Sequence, residues 1–209
     1  FFGMKKSNLK WISLHKYFLM INLVLFGKPG AGKGTQALFL KKQYNLVHIS
    51  TGDLFRNNIK RETSLGLLAK SFMDHGDLVP DQVTIDMLEA EVDQNLQANG
   101  FIFDGFPRTK SQAGALDTFL IKKQMEVSAT IALEADDDIL IERLLYRGKS
   151  SGRTDDQDEE KIRNRFEEYN KKTALLRDFY TKQNKFHSIN GIGTINEITN
   201  RLTKLIKTL

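Results

Sequence analysis

Short apolar runs recur along the chain at Leu23–Phe26, Val47–Ile49, Phe101–Phe103, Val127–Leu133 and Phe186–Ile189. Each is short enough to be a strand, and the wholly apolar ones, such as Phe101–Phe103, read as buried on both sides, the pattern of parallel sheets. The stretches between them have helical length. The last is the most regular: Ile195, Ile198, Leu202, Leu205 and Ile206 share one helical face, and Thr194 with Glu197 three residues on forms a capping box at its start. Strands alternating with helices predict an α/β protein, a three-layer α/β/α sandwich around a central parallel sheet.

With 209 residues, 40% of them hydrophobic, the chain can bury one substantial core. Three prolines and no low-complexity tract leave little room for a linker between independent domains. Two stretches read as insertions on the core: the helical segment 50–79, and the Gly/Ser-rich segment Gly148–Gly152, expected to be a flexible link between two arginine-bearing helices. The absence of cysteine excludes disulfides, a thiolate nucleophile and Cys-ligated zinc. The four histidines show no ligand spacing. Lys5, Lys6 and Lys10 ahead of an apolar run imitate a signal peptide, but the run contains Asn22 and leads straight into a glycine-rich loop, as a first strand would. Residues 1–19 read as a leader of unassigned role, with Met20 a candidate start. No run reaches the roughly 18 apolar residues of a membrane span, so a cytoplasmic protein is expected. The net charge of +5 points to an anionic partner.

Chemistry concentrates in a few places. Gly27-Lys28-Pro29-Gly30-Ala31-Gly32-Lys33-Gly34-Thr35 follows the first strand and opens a helix. Glycines there let backbone N–H groups wrap a phosphate, the helix N-terminus adds positive dipole, and Lys33 reaches the outer phosphates. Gly34 departs from the Ser/Thr that the strict pattern puts after the lysine, with Thr35 following. Asp104 ends the third strand, within Phe101-Ile102-Phe103-Asp104-Gly105-Phe106-Pro107-Arg108-Thr109, and is a candidate for holding Mg²⁺ through water. Thr109 and Gln112 match a capping box, so Gln112 has a structural explanation beside a base-reading one. Ser50 or Thr51 reads as the cap of the next helix, Arg56 as a helix residue, and Asp81 as the cap of a helix from about Gln82.

Arg143, Arg147, Arg153, Arg163 and Arg165 crowd one region. Arg143 and Arg147 share a helical face, and the glycine-serine segment is expected to return Arg153 beside Asp155 and Asp156. Guanidinium forks suit phosphate oxygens. The competing reading is a solvent-facing pair of salt-bridged helices.

GKPGAGKGTQ, ISTGDLFR, LVPD, FDGFPRT and RLLYRGKSSGRTDD, in this order and spacing, resemble the adenylate kinases over 20–209. The short Arg147-to-Arg153 segment resembles the short-lid members and implies no structural zinc. The resemblance implies Mg²⁺-dependent phosphoryl transfer from ATP to AMP by a monomer, with an AMP-binding segment near 50–79 and a lid near 146–156. Gly30, Ala31, Gly32, Lys33, Gly34, Thr35, Arg143, Arg147 and Gly193 would bind ATP. Thr51, Arg56, Asp77, Leu78, Val79, Gly105, Phe106, Pro107, Arg108, Gln112, Arg153 and Arg165 would bind AMP. Lys33, Arg108, Arg147, Arg153 and Arg165 would be catalytic.

Two departures from the family pattern stand out. Lys28 occupies a loop position often held by an uncharged residue, where it would tune affinity. The acidic run from Asp155 to Glu160 is one residue longer than expected, leaving Arg163 as a rival to Arg165. Related or competing readings are a UMP/CMP kinase, a P-loop nucleotide switch, and a basic nucleic-acid-binding module. Thr51 in the STGD sequence favours AMP. No Asn-Lys-x-Asp guanine-reading motif is present, and clustered arginines argue against nucleic acid.

Overall fold

The computed structural model describes residues 20–209, and the expectations for residues 1–19 lie outside the described residues. Five strands, β1 (Ile21–Phe26), β2 (Val47–Ser50), β3 (Gly100–Asp104), β4 (Ala129–Glu134) and β5 (Phe186–Asn190), form one parallel sheet in the order β2-β3-β1-β4-β5. The fold is α/β with helices on both faces. Nine α-helices are described: α1 (Lys33–Tyr44), α2 (Thr51–Lys60), α3 (Ser64–Met73), α4 (Asp81–Asp93), α5 (Lys110–Lys122), α6 (Asp137–Ser151), α7 (Glu159–Glu168), α8 (Leu176–Thr181) and α9 (Ile195–Ile206).

Side-chain alternation in the central strands divides the core. Val24, Phe26, Phe101 and Phe103 pack with residues of α4, α5 and α8 on one face, including Leu88, Leu116 and Tyr180. Leu23, Leu25, Ile102 and Ile131 face α1, α6, α7 and α9, meeting Leu40, Leu144, Ile162 and Leu202. Because every side chain of β3 is buried, that strand shows no polar alternation in the sequence. A third small cluster, Phe55, Ala69 and Val79, gives α2 and α3 an apolar centre of their own.

Two local expectations change. The strand expected from Val127 begins at Ala129, because Ser128 is engaged by Asn22, its Oγ accepting from the Asn22 N–H at 3.0 Å. In α9 the capping box forms, Glu197 Oε2 accepting from the Thr194 N–H at 2.7 Å. Ile198, Leu202 and Ile206 are buried there, whereas Ile195 is half-exposed. Strand order reverses about β1, with β3 on one side and β4 on the other. Leu25 pairs with both Asp104 and Ile131, so the strands end level and open a crevice at their C-terminal ends, where such sheets bind ligands.

Candidate active site

A cavity of about 830 Å³ occupies that crevice. Its floor is the loop 27–34 between β1 and α1. Gly30 and Gly32 take φ of 85° and 90°, a conformation that disfavours any residue with a Cβ. At Gly27 a Cβ would stand 2.6 Å from the Leu133 carbonyl oxygen. Helix α1 starts at Lys33 after the N-cap Gly32, which supplies no side-chain cap, so its first N–H groups remain available to an anion. Lys33 Nζ donates to the carbonyls of Gly27 (2.7 Å) and Lys28 (3.1 Å), folding back over the loop it serves. Burial lowers its pKa to about 8; Asp104 opposes this shift, while Arg108, Arg165 and Arg147 add to it.

Lys28 does not line the cavity. Its ammonium sits 2.6 Å from Asp137 at the start of α6 and over the Phe166 ring. The extra charge ties the loop to α6 and is directed away from the cavity.

At the end of β3, Asp104 faces the same space. Burial works to raise its pKa, but His48, whose Nε2 lies 3.4 Å from Oδ2, together with Lys33 and Arg108, outweighs it and holds the carboxyl below the ordinary range. Arg108 is brought back over the Gly105 turn, its Nε donating to the Gly105 carbonyl at 2.7 Å. Burial, with Arg165 beside it, lowers the Arg108 pKa to about 10 against the pull of Asp104. Thr51 is buried and donates to the same Gly105 carbonyl at 2.9 Å. Ser50 is the residue that caps α2.

The expected Thr109–Gln112 capping box is only half formed. Thr109 Oγ1 accepts from the Gln112 N–H, but the Gln112 amide oxygen accepts from the N–H of Arg108 at 2.7 Å instead of that of Thr109. Asp81 is not the expected cap. It is the first residue of α4, after Pro80, and its carboxylate accepts from Thr109 Oγ1 at 2.6 Å and from Gln112 Nε2 at 2.8 Å.

The arginine region differs most from expectation. Helix α6 runs through Ser151, so only Gly152, with φ of 66°, makes the turn. Gly148 lies within the helix because the following short turn packs against it: a Cβ there would stand 2.5 Å from the Asp156 carbonyl oxygen. The expected flexible link from Gly148 to Gly152 is therefore mostly helix. Arg153 meets Asp53 of α2 at 3.5 Å and also feels the charge of Asp156, as its place before the acidic run predicts. Asp156 has no solvent exposure and accepts from Arg147 Nε and Arg165 NH1, each at 2.7 Å. Although burial works to raise the Asp156 pKa, these arginines drive it below the ordinary range. Arg165 lines the cavity, whereas Arg163 is exposed and bonded to Glu159.

Six arginines, at 56, 108, 143, 147, 153 and 165, share the cavity wall with Lys33. Gly30, Ala31, Gly32, Gly34, Thr35 and Gly193 line it, as do Asp77, Leu78, Gly105 and Pro107. Thr51, Val79, Phe106 and Gln112 are buried and do not line it. Sequence reasoning missed His48, Asp53 and the dual role of Asp156. Only His48 left a trace, standing two residues before Ser50 on the strand that pairs with β3. Among the described residues no cluster of three metal-ligating side chains occurs. One ionised carboxylate beside a phosphate cradle fits Mg²⁺, which keeps waters and takes its remaining ligands from phosphates.

A glycine loop and helix N-terminus at the switch point of a parallel sheet, faced by a wall of arginines, define a P-loop phosphotransferase. The family model for adenylate kinase matches residues 25–185. The chain is 70% identical over 190 residues to the adenylate kinase of Flavobacterium psychrophilum, covering 91% of this chain and 100% of that one. It is 63% identical to that of Flavobacterium johnsoniae over the same shares. The adenylate kinase of Leptospira biflexa is 47% identical over 187 residues, 90% of this chain and 100% of its own. The chain belongs to the adenylate kinase family.

Proposed function

We propose that the enzyme transfers the terminal phosphoryl group of MgATP reversibly to AMP, giving two ADP, as a cytoplasmic monomer that does not bind nucleic acid. One observation carries the reading: the glycine loop with Lys33 and the half-buried Arg108 open into a single arginine-lined cavity. A site for one phosphate chain alone has no need of arginines on the wall away from the loop.

In this reading Gly30 to Thr35 hold the ATP phosphates, and Lys33 leaves the Gly27 and Lys28 carbonyls to follow the transferring group. Arg143, Arg147 and the backbone at Gly193 hold the ATP side. Arg56 and Arg108 grip the AMP phosphate, and Thr51, Val79 and Gln112 receive the base. The walls at Asp77–Leu78 and Gly105–Pro107 complete the AMP side. Arg153 and Arg165 stand between the two nucleotides, where negative charge spreads over the equatorial oxygens in the transition state. Asp104 would hold Mg²⁺ through water, and the ion would neutralise the phosphate oxygens when bound. Preorganised cations and in-line positioning suffice without a general base.

The segment 50–79 acts as the AMP-binding arm and 146–156 as the lid. Support comes from their contacts: Arg153 with Asp53, and Thr154 Oγ1 with Asp74 at 3.3 Å, join the two arms across the cavity mouth. Closure excludes water, which would otherwise accept the phosphoryl group.

The test is product analysis after mixing the enzyme with MgATP and AMP, CMP, UMP, GMP, or no acceptor. Rapid ADP formation with AMP alone, abolished by a chelator, is expected. Preference for CMP or UMP, or hydrolysis independent of acceptor, would overturn the reading.

A further inference from the structure

We infer that Asp81 is the positioning residue that makes the site read adenine rather than a six-oxo purine, by fixing which way round the Gln112 amide is presented. The inference rests on the reading of Gln112 as the base-contacting residue.

A glutamine amide carries a donor group and an acceptor group that exchange places on a half-turn about its last bond. Left free, it would serve either of two purine edges. The adenine edge offers an acceptor at N1 and a donor at the 6-amino group, while the hypoxanthine edge offers the reverse, N1–H and a 6-oxo oxygen. Here both ends of the amide are committed. The Asp81 carboxylate, which only accepts when ionised, takes Gln112 Nε2 at 2.8 Å, and the Arg108 N–H, which only donates, takes Gln112 Oε1 at 2.7 Å. One amide hydrogen and one oxygen lone pair remain, in a fixed order.

Turning the amide over would set its oxygen against the carboxylate and its NH₂ against the Arg108 N–H. Gln112 is 2% exposed, so water cannot repair either mismatch, and an unmet buried polar group is costly. Asp81 is itself held by Thr109, whose hydroxyl donates to its other oxygen at 2.6 Å. The backbone N–H of Arg108 serves any base, whereas the Asp81 side chain is the member of this set that mutation can remove without touching the phosphate-gripping arginine.

The test is the ratio of kcat/KM for AMP to that for IMP, a nucleotide of nearly the same shape with the edge reversed. Sites that hydrogen-bond a substrate group discriminate steeply against analogues that leave those bonds unmet. Asp81→Ala is expected to narrow the AMP-to-IMP ratio by on the order of 10-fold or more, mainly through KM for the monophosphate, with KM for MgATP unmoved. Asp81→Asn retains an oxygen for Gln112 and a donor for the Thr109 hydroxyl, and is expected to restore most of the ratio. If Asp81→Ala fails to fold, Asp81→Ser, too short to reach Gln112, replaces it. In a Gln112→Ala background, Asp81→Ala should change the ratio no further.

A ratio unchanged in Asp81→Ala but collapsed in Gln112→Ala would overturn the role of Asp81 and leave the reading of Gln112 standing. A ratio unchanged in Gln112→Ala would overturn both. Loss of thermal stability in Asp81→Ala with the ratio intact would make Asp81 structural only.

Discussion

Arg147 Nε donates at 2.7 Å to the carboxylate of Asp156, a residue with no solvent exposure, although Arg147 itself lines the cavity. The same carboxylate holds Arg165. One buried anion thus fixes the position of two cavity arginines. Asp156→Ala leaves both guanidiniums without it and is expected to cost about 1–3 kcal/mol, the lower part of the range for broken ion pairs because Arg147 is partly exposed. Turnover should fall by more than this loss of stability explains. Thermal unfolding and steady-state kinetics on the same sample check both parts.

Gly148→Ala tests the packing of that turn without removing a charge. A Cβ would stand 2.5 Å from the backbone oxygen of Asp156, so a loss of about 1–3 kcal/mol is expected, as for overpacked sites. If the segment were a flexible link, alanine in its place would stabilise it. The sign of the change in unfolding midpoint separates the two.

Lys33→Met is expected to abolish turnover yet raise the stability of the nucleotide-free enzyme. Burial holds the Lys33 pKa at about 8, down from 10.5, so its charge is a cost at neutral pH on the order of 3 kcal/mol. Denaturant titration without ligand gives the sign, and an unchanged or lower midpoint would contradict it.

The same shift sets a pH dependence. Above about pH 8 the folded chain sheds the Lys33 proton while the unfolded chain keeps it. The unfolded state then binds more protons, and this contribution to stability grows as pH rises from about 8 toward 10. It is opposed near pH 10 and above, where Tyr169 and Tyr180, whose ionisation burial resists in the folded state, ionise in the unfolded chain. Phosphate binding should return Lys33 to its charged form. Calorimetry at pH 8 in buffers of different ionisation enthalpy should therefore report uptake of about half a proton from this group.

Lys28→Ala should change KM for MgATP by less than about twofold and stability by about 0.2–1 kcal/mol, because its charge is paired with the half-exposed Asp137 at 2.6 Å. A tenfold rise in KM would place Lys28 at the phosphates after all.

Strand positions and the phosphate loop were legible because both are local. A run such as Phe101–Phe103 must be buried on two faces, and glycines at 30 and 32 with a lysine at 33 report a backbone conformation in nine consecutive residues. Asp81 was misread for the opposite reason. In sequence it looks like a helix cap, since acidic residues favour helix starts whatever else they do. The partners that give it other work, Thr109 and Gln112, lie 28 and 31 residues away. Gly148 looked like a hinge because glycine's freedom and glycine's smallness leave the same mark in a sequence. A backbone oxygen packed against that position decides between them.

The layer order, the glycine loop, the family and the supply of arginines can be read from the residues alone, since they follow from periodicity and contiguous motifs. Which arginine meets which carboxylate, that Lys28 turns away from the cavity, and that Gln112 is held at both ends of its amide emerge only once the chain is folded. Some of these pairings span strands, as Lys28 with Asp137 does, and others only the turn between α6 and α7, as Arg147 with Asp156 does; in either case charge or hydrogen-bonding capacity carries no address until the chain has folded.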